Sequence, residues 1–172
     1  MTNQLLTYDN GRHQYQFISG VAARLIPVRP HYQPMSTMGA SSIFTGSCLC
    51  RGVKYEISAE IGPIDVCYCQ MCRKAQGGPL ATNAPVAASA FRVSQGAELL
   101  TEYESSPGEY RLFCRRCGSP IYSMRKDRPY VVRIRVGTVN EPLNVRPAAN
   151  YYVASKCNWW EIHDNLPRYA TE

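Results

Sequence analysis

"FCRRCGSPIYS", residues 113–123, sets two cysteines three positions apart, turns on a glycine and a proline, and runs at once into a strand-like segment. CxxC followed by Gly is the tight knuckle of zinc ribbons: the turn brings both sulfurs to one ion, and Gly118 relieves the backbone where it reverses. A structural zinc takes four ligands, so two more must come from elsewhere in the chain. The chain has eight cysteines in 172 residues. Besides Cys114 and Cys117 they fall as "CLC" (Cys48, Cys50), as "CYCQMCRKAQGG" over residues 67–78 (Cys67, Cys69, Cys72), and as the isolated Cys157. Disulfides across two or three residues would close small strained loops, and the N-terminus lacks the basic-then-apolar pattern of a secretory signal. Zinc thiolates are therefore the expected use of the clusters.

The economical pairing is CLC with CRRC, a closed four-cysteine site stapling the start of the domain to a hairpin more than sixty residues later. The alternative joins CRRC to two cysteines of the CxCxxC cluster. In a strand, residues i and i+2 share a face, so each CxC offers two sulfurs while Leu49 or Tyr68 points away. Under the first pairing Cys67, Cys69 and Cys72 are left with an open position, the pattern of catalytic zinc. Cys157 and His163 are the candidates to close it, His13 and His31 weaker ones, and a triple without bound metal is the remaining alternative.

Around these clusters the signals are short strands separated by turns: "RGVKYEIS", "IDVCYC", "APVAAS", "ELLTEY", "EYRLFC", "SPIYSM", "YVVRIRV" and "NYYVAS". One short helix is expected over "QMCRKAQ", stopped by Gly77 and Gly78. The fold class is mainly β, small antiparallel sheets stapled by the four-cysteine zinc site. Residues 1–40 hold no cysteine, one acidic residue and three prolines without a sustained period, and are expected to be an accessory or poorly ordered leader to a domain over 41–172. Translation beginning at Met35 or Met38 would fit that division. No apolar run is long enough to span a membrane, and the expected address is the cytoplasm.

The formal net charge is +6. Zinc bound to four thiolates and zinc bound to three together bring it to about +3, which removes much of the case for nucleic acid. The arginines at 115–116 and the RKDR at 125–128 are expected on solvated strand faces and turns. A non-catalytic zinc-stapled module binding a macromolecule through such patches is the competing reading of the chain. No carboxylate pair, Ser-His-Asp pattern or phosphate-cradling loop competes with the cysteines. Arg73 and Lys74 could attract a carboxylate, and His163 and Asp164 could orient or exchange a proton. Trp159 and Trp160 are expected in the core or a cleft wall, Cys157 as a small buried side chain, and Tyr68 in or behind the pocket.

"GSCLCRGVKYE", "CYCQMCRKAQGG", "FCRRCGSPIYS", "IRVGT" and "VASKCNWWEIHDNLPRY", in that order, resemble the glutathione-dependent formaldehyde-activating enzyme family, the group that includes centromere protein V. The resemblance covers about residues 44–169. It implies a β-tent fold of the Mss-four-like kind, a structural zinc on Cys48, Cys50, Cys114 and Cys117, and a second, catalytic zinc on Cys67, Cys69 and Cys72. The implied activity is that of a carbon–sulfur lyase, reversible addition of glutathione or a similar thiol to formaldehyde or another small aldehyde. Family members commonly carry Gly where this chain has Arg51, His where it has Tyr68, and Leu-Asp where it has Val139 and Asn140, departures that bear on substrate more than on metal.

Overall fold

A computed structural model describes residues 5–9, 12–16 and 44–171. The chain divides into two units, 1–38 and 39–172. In the first, strands β1 (Leu5–Asp9) and β2 (Arg12–Gln16) pair antiparallel with Leu5 opposite Gln16. The absence of a two-residue period there did not signal this pairing. Most of the leader, with Met35, Met38 and His31, lies outside the described residues, as does the side chain of His13.

The second unit carries strands β3 (Phe44–Ser47), β4 (Lys54–Ile57), β5 (Ile64–Cys67), β6 (Ala81–Ala87), β7 (Phe91–Gln95) and β8 (Leu100–Ser106). After them come β9 (Glu109–Cys114), β10 (Pro120–Arg125), β11 (Arg128–Arg135), β12 (Pro147–Tyr151) and β13 (Arg168–Tyr169). Helix α1 (Gln70–Gln76) is the one α-helix among the described residues. The expected mainly β fold with one short helix is what forms, and each of the eight strand-like segments contributes to a strand. The sheets are larger than expected: β3-β4-β7 make a small one, and the other eight strands run β13-β12-β5-β6-β11-β10-β9-β8. The large sheet is also mixed, because β12 lies parallel to β5 and β13. Parallel neighbours need a long crossover, and here everything between β5 and β12 supplies it.

Alternation decides which face of each strand is buried. In β11, Val132 and Ile134 join Ile121 of β10 and Ala84 and Val86 of β6 in a core that also takes Tyr55 and Ile57 from β4 of the small sheet. The Phe91 ring bridges the sheets, 5.2 Å from Tyr55 and 4.8 Å from Tyr122. Each such large apolar side chain contributes about 1.5–3 kcal/mol on burial. The intervening residues project to the opposite face of the large sheet. There the register aligns Asp65, Asn83 and Arg135 across β5, β6 and β11, and Arg133, Ser123 and Arg111 across β11, β10 and β9. That polar face carries the candidate site.

Candidate metal centres and the cavity beside them

The sulfurs of Cys48, Cys50, Cys114 and Cys117 all lie within 4.8 Å of one another. Cys48 Sγ is 3.5 Å from Cys50 Sγ, which is 3.9 Å from Cys114 Sγ. Four sulfurs at zinc–thiolate bond length around a tetrahedron would stand about 3.8 Å apart, so the cluster is of a size that could hold zinc. CLC reaches this geometry differently from the strand argument: β3 ends at Ser47, and Cys48–Cys50 form a turn in which Arg51 N–H donates to Cys48 O at 2.9 Å. A turn converges two sulfurs as a strand face would, and Leu49 points away, 83% exposed. On the other arm Gly118, at φ +75°, donates to Cys114 O at 2.8 Å, the expected knuckle. Leu49 N–H donates to Ser119 Oγ at 2.9 Å and ties the two arms together.

The sulfurs of Cys67, Cys69 and Cys72 form the second cluster, again within 4.8 Å. Cys67 ends β5. Cys69 caps α1, its Sγ accepting from Cys72 N–H at 3.3 Å, and Gly77 closes the helix at φ +68° with a bond to Arg73 O at 2.8 Å. The end of β5 and the first turn of α1 thus bend the sulfurs of Cys67, Cys69 and Cys72 onto one point. Hydrogen bonds from Cys67 and Cys72 pull Cys69 down to about 2, and the same exchange pushes Cys67 up. Cys69 thus favours the thiolate, the ligating form, which suits a cation at the cluster.

Among the described residues no fourth His, Cys, Asp or Glu joins the three sulfurs. Cys157 is buried outside the cluster, and His163 is 82% exposed beside Glu161 at 3.8 Å. Instead the cluster borders a cavity of about 390 Å³ that five arginines also line: Arg111, Arg125, Arg128, Arg133 and Arg135. Arg111 points Nη1 and Nη2 at Cys72 Sγ, each at 3.9 Å, and stands 3.7 Å from Glu109. Arg133 Nη2 is 2.5 Å from Asp65 Oδ2. Burial pushes Asp65 up in spite of the pull of Arg133.

Arg115, Arg116 and the RKDR turn at 125–128 are exposed, as expected, whereas the gathering of five arginines at one cavity was not foreseen. Arg125 and Arg128 are exposed, but Arg111 and Arg135 are buried to 8% and 2%. The available signal was "RIR" inside an apolar strand, which puts Arg133 and Arg135 on one face. Other residues turn out to be structural. Arg73 donates to Tyr68 O and Ser155 O, both at 3.1 Å, and so ties backbone together. Asp164 Oδ1 accepts from Asn150 Nδ2 at 2.8 Å and from Leu166 N–H at 3.1 Å. Tyr68 is buried and does not line the cavity, and burial pushes its hydroxyl up. Trp159 and Trp160 are not core residues: both are exposed, packed edge to face at 6.3 Å. Asn140 bonds Thr45 through backbone and side chain, so that departure from the family pattern braces a loop.

A β domain with one closed four-sulfur centre, one three-sulfur centre and a cationic cavity beside the second defines a class of two-centre cysteine proteins. Within it, the sequence profile described as glutathione-dependent formaldehyde-activating enzyme matches residues 43–155, and the chain belongs to that family. A Halomonas elongata protein, provisionally named a glutathione-dependent formaldehyde-activating enzyme, is 33% identical over 129 residues, 70% of this chain and 81% of that protein. A Schizosaccharomyces pombe protein named an uncharacterized lyase is 28% identical over 84 residues, 46% of this chain and 56% of that one. A crystal structure of a Rhodobacter sphaeroides protein matches with a TM-score of 0.49 and 30% identity over 58% of this chain and 90% of that one. Among the described residues no helix is long and apolar enough to cross a membrane.

Proposed function

We propose that this chain is a zinc-dependent carbon–sulfur lyase that reversibly adds glutathione or a similar anionic thiol to formaldehyde or another small aldehyde. The observation that carries the reading is the three-sulfur cluster, which has no fourth protein ligand among the described residues and opens on a cavity lined by five arginines. Cys48, Cys50, Cys114 and Cys117 would hold a structural zinc, and Cys67, Cys69 and Cys72 a catalytic one. Bound there, zinc would supply a cation with a free position able to keep a thiol deprotonated at neutral pH.

The chain's own residues set up the rest. Arg111, whose Nη1 and Nη2 face the Cys72 sulfur, would offset negative charge on a metal-bound thiolate there. Arg128, exposed at the cavity, would pair with a carboxylate of the thiol, and Arg125 would do so in exchange for its partner Asp127, orienting the sulfur toward the cluster. In the forward step a carbon–sulfur bond forms, the carbonyl π bond breaks, and the proton given up by the thiol ends on the former carbonyl oxygen. The reverse step restores aldehyde and thiol. No further reactant is needed.

The test is metal content and turnover measured on the same purified protein, with adduct formation compared with the uncatalysed reaction. Cys69→Ser should stay folded, lose one zinc, and lose turnover by on the order of 100-fold or more. Adduct formation no faster with protein than without it would sink the proposal, as would unchanged turnover in Cys69→Ser.

A further inference from the structure

A second cavity of about 470 Å³ lies between α1 and strands β8 to β10, and shares Met71, Arg111 and Arg135 with the first. Its body is apolar, built from Met71, Leu112, Phe113 and Tyr122. Formaldehyde has no group that would fill such a space, and a volume of this size is in the range of small-molecule sites.

Arg135 gives the cavity its chemistry. It is 2% exposed, its Nε is buried without a hydrogen-bond partner, and among the described residues its side chain makes no hydrogen bond or ion pair. Glu109 and the Cys72 sulfur, the groups that could offset its charge, are already engaged by Arg111. A buried guanidinium cannot shed its proton, and an unpaired buried charge costs several kcal/mol. An anion at the shared wall would remove that cost. Its body would then extend into the apolar space.

We infer that this cavity binds a small aromatic carboxylate, with the carboxylate on Arg135 and the ring among Met71, Leu112, Phe113 and Tyr122. This goes beyond the thiol chemistry and does not rest on it. A planar carboxylate matches the guanidinium fork, and an aromatic ring matches the walls.

The probe is benzoate, titrated into the full-length, metal-loaded protein by calorimetry, with saturation-transfer NMR reporting contact at the ring. Binding at about 1 mM or tighter is expected. Acetate, which lacks the body, and benzyl alcohol, which lacks the charge, should each bind at least about tenfold more weakly, because each removes one of the two contributions. Arg135→Gln should weaken benzoate by at least about tenfold. Ala75→Trp, at an exposed position of α1 on the cavity wall, should abolish binding by filling the space without touching the core. Glutathione binding is measured on the same samples, so that failure of the unaltered protein to bind benzoate while it binds glutathione overturns this site and not the thiol site. Benzoate binding unchanged in either variant, or acetate binding as tightly as benzoate, overturns the inference.

Discussion

Arg51 illustrates how a single residue can be misjudged from its neighbours. It follows a sulfur ligand in a position where the family commonly has glycine, which points toward a change in substrate handling. The structure gives another cause: Arg51 sits at φ +58°, the left-handed region, in the turn that folds CLC onto its sulfur cluster. A non-glycine residue held there costs about 1–2 kcal/mol, whereas glycine adopts the conformation freely but loses more freedom on folding. The net expectation for Arg51→Gly is a gain of about 0.5–1 kcal/mol, or roughly 1–4 °C in the thermal midpoint for a chain of this size. Thermal unfolding of the metal-loaded protein checks this, and a lower midpoint in Arg51→Gly would show that the arginine makes a contact worth more than the strain.

The elements were legible where the signal is local. The bounds of α1 follow from Gly77 and from the run "QMCRKAQ", and the knuckle from CRRCG, because caps and tight turns are fixed by residues within a few positions. Pairing was less legible. Nothing in "PAANY" says that β12 will lie parallel to β5, and the burial of Arg135 depends on β6 placing Asn83 opposite it, which no local pattern encodes. The hairpin of β1 and β2 had a signal after all in the Asn10-Gly11 dipeptide between them, a strong turn cue. A further long-range tie, unsignalled in the sequence, joins β3 to the loop after β11: Glu141 accepts from Thr45 N–H at 2.7 Å and from Thr45 Oγ1 at 2.6 Å. Desolvation opposes the charge, but the hydrogen bonds from Thr45 win and hold the Glu141 carboxyl below its ordinary value. A depressed carboxyl stabilises the fold above its unfolded pKa, and that contribution is lost as pH falls through the folded value. Glu141→Gln should therefore cost about 1 kcal/mol at pH 7, at the low end for bonds to a charged group because the site is partly solvated. The gap between the two proteins should close below about pH 4. Denaturant midpoints at both pH values measure it, and a gap that persists at low pH would mean that the tie is steric rather than electrostatic.

At the scale of the molecule the two sulfur clusters, loaded with zinc as proposed, would have different mechanical roles. The first joins Cys50 to Cys114 across 64 positions, from the small sheet's end to the β9–β10 hairpin of the large sheet, whereas the second bends six consecutive residues. A cross-link over so long a loop removes chain entropy worth about 4 kcal/mol from the unfolded state, and a link within one turn removes far less. Structural metal binding is itself folding free energy, so zinc at the first cluster and the fold should be lost together. The second cluster opens on a cavity and constrains only α1, so its metal should leave with the sheets intact. Titrating the metal-loaded protein with a chelator should accordingly release metal in two steps, with the near-ultraviolet circular dichroism of the core aromatics changing only in the second. Cys114→Ser, which breaks the staple at a fully buried position, should lose several kcal/mol of stability and bring metal loss and unfolding together from the start. Release in one step, or loss of the aromatic signal with the first metal, would mean that the three-sulfur centre also holds the fold. The open coordination position would then no longer separate a working site from a structural one.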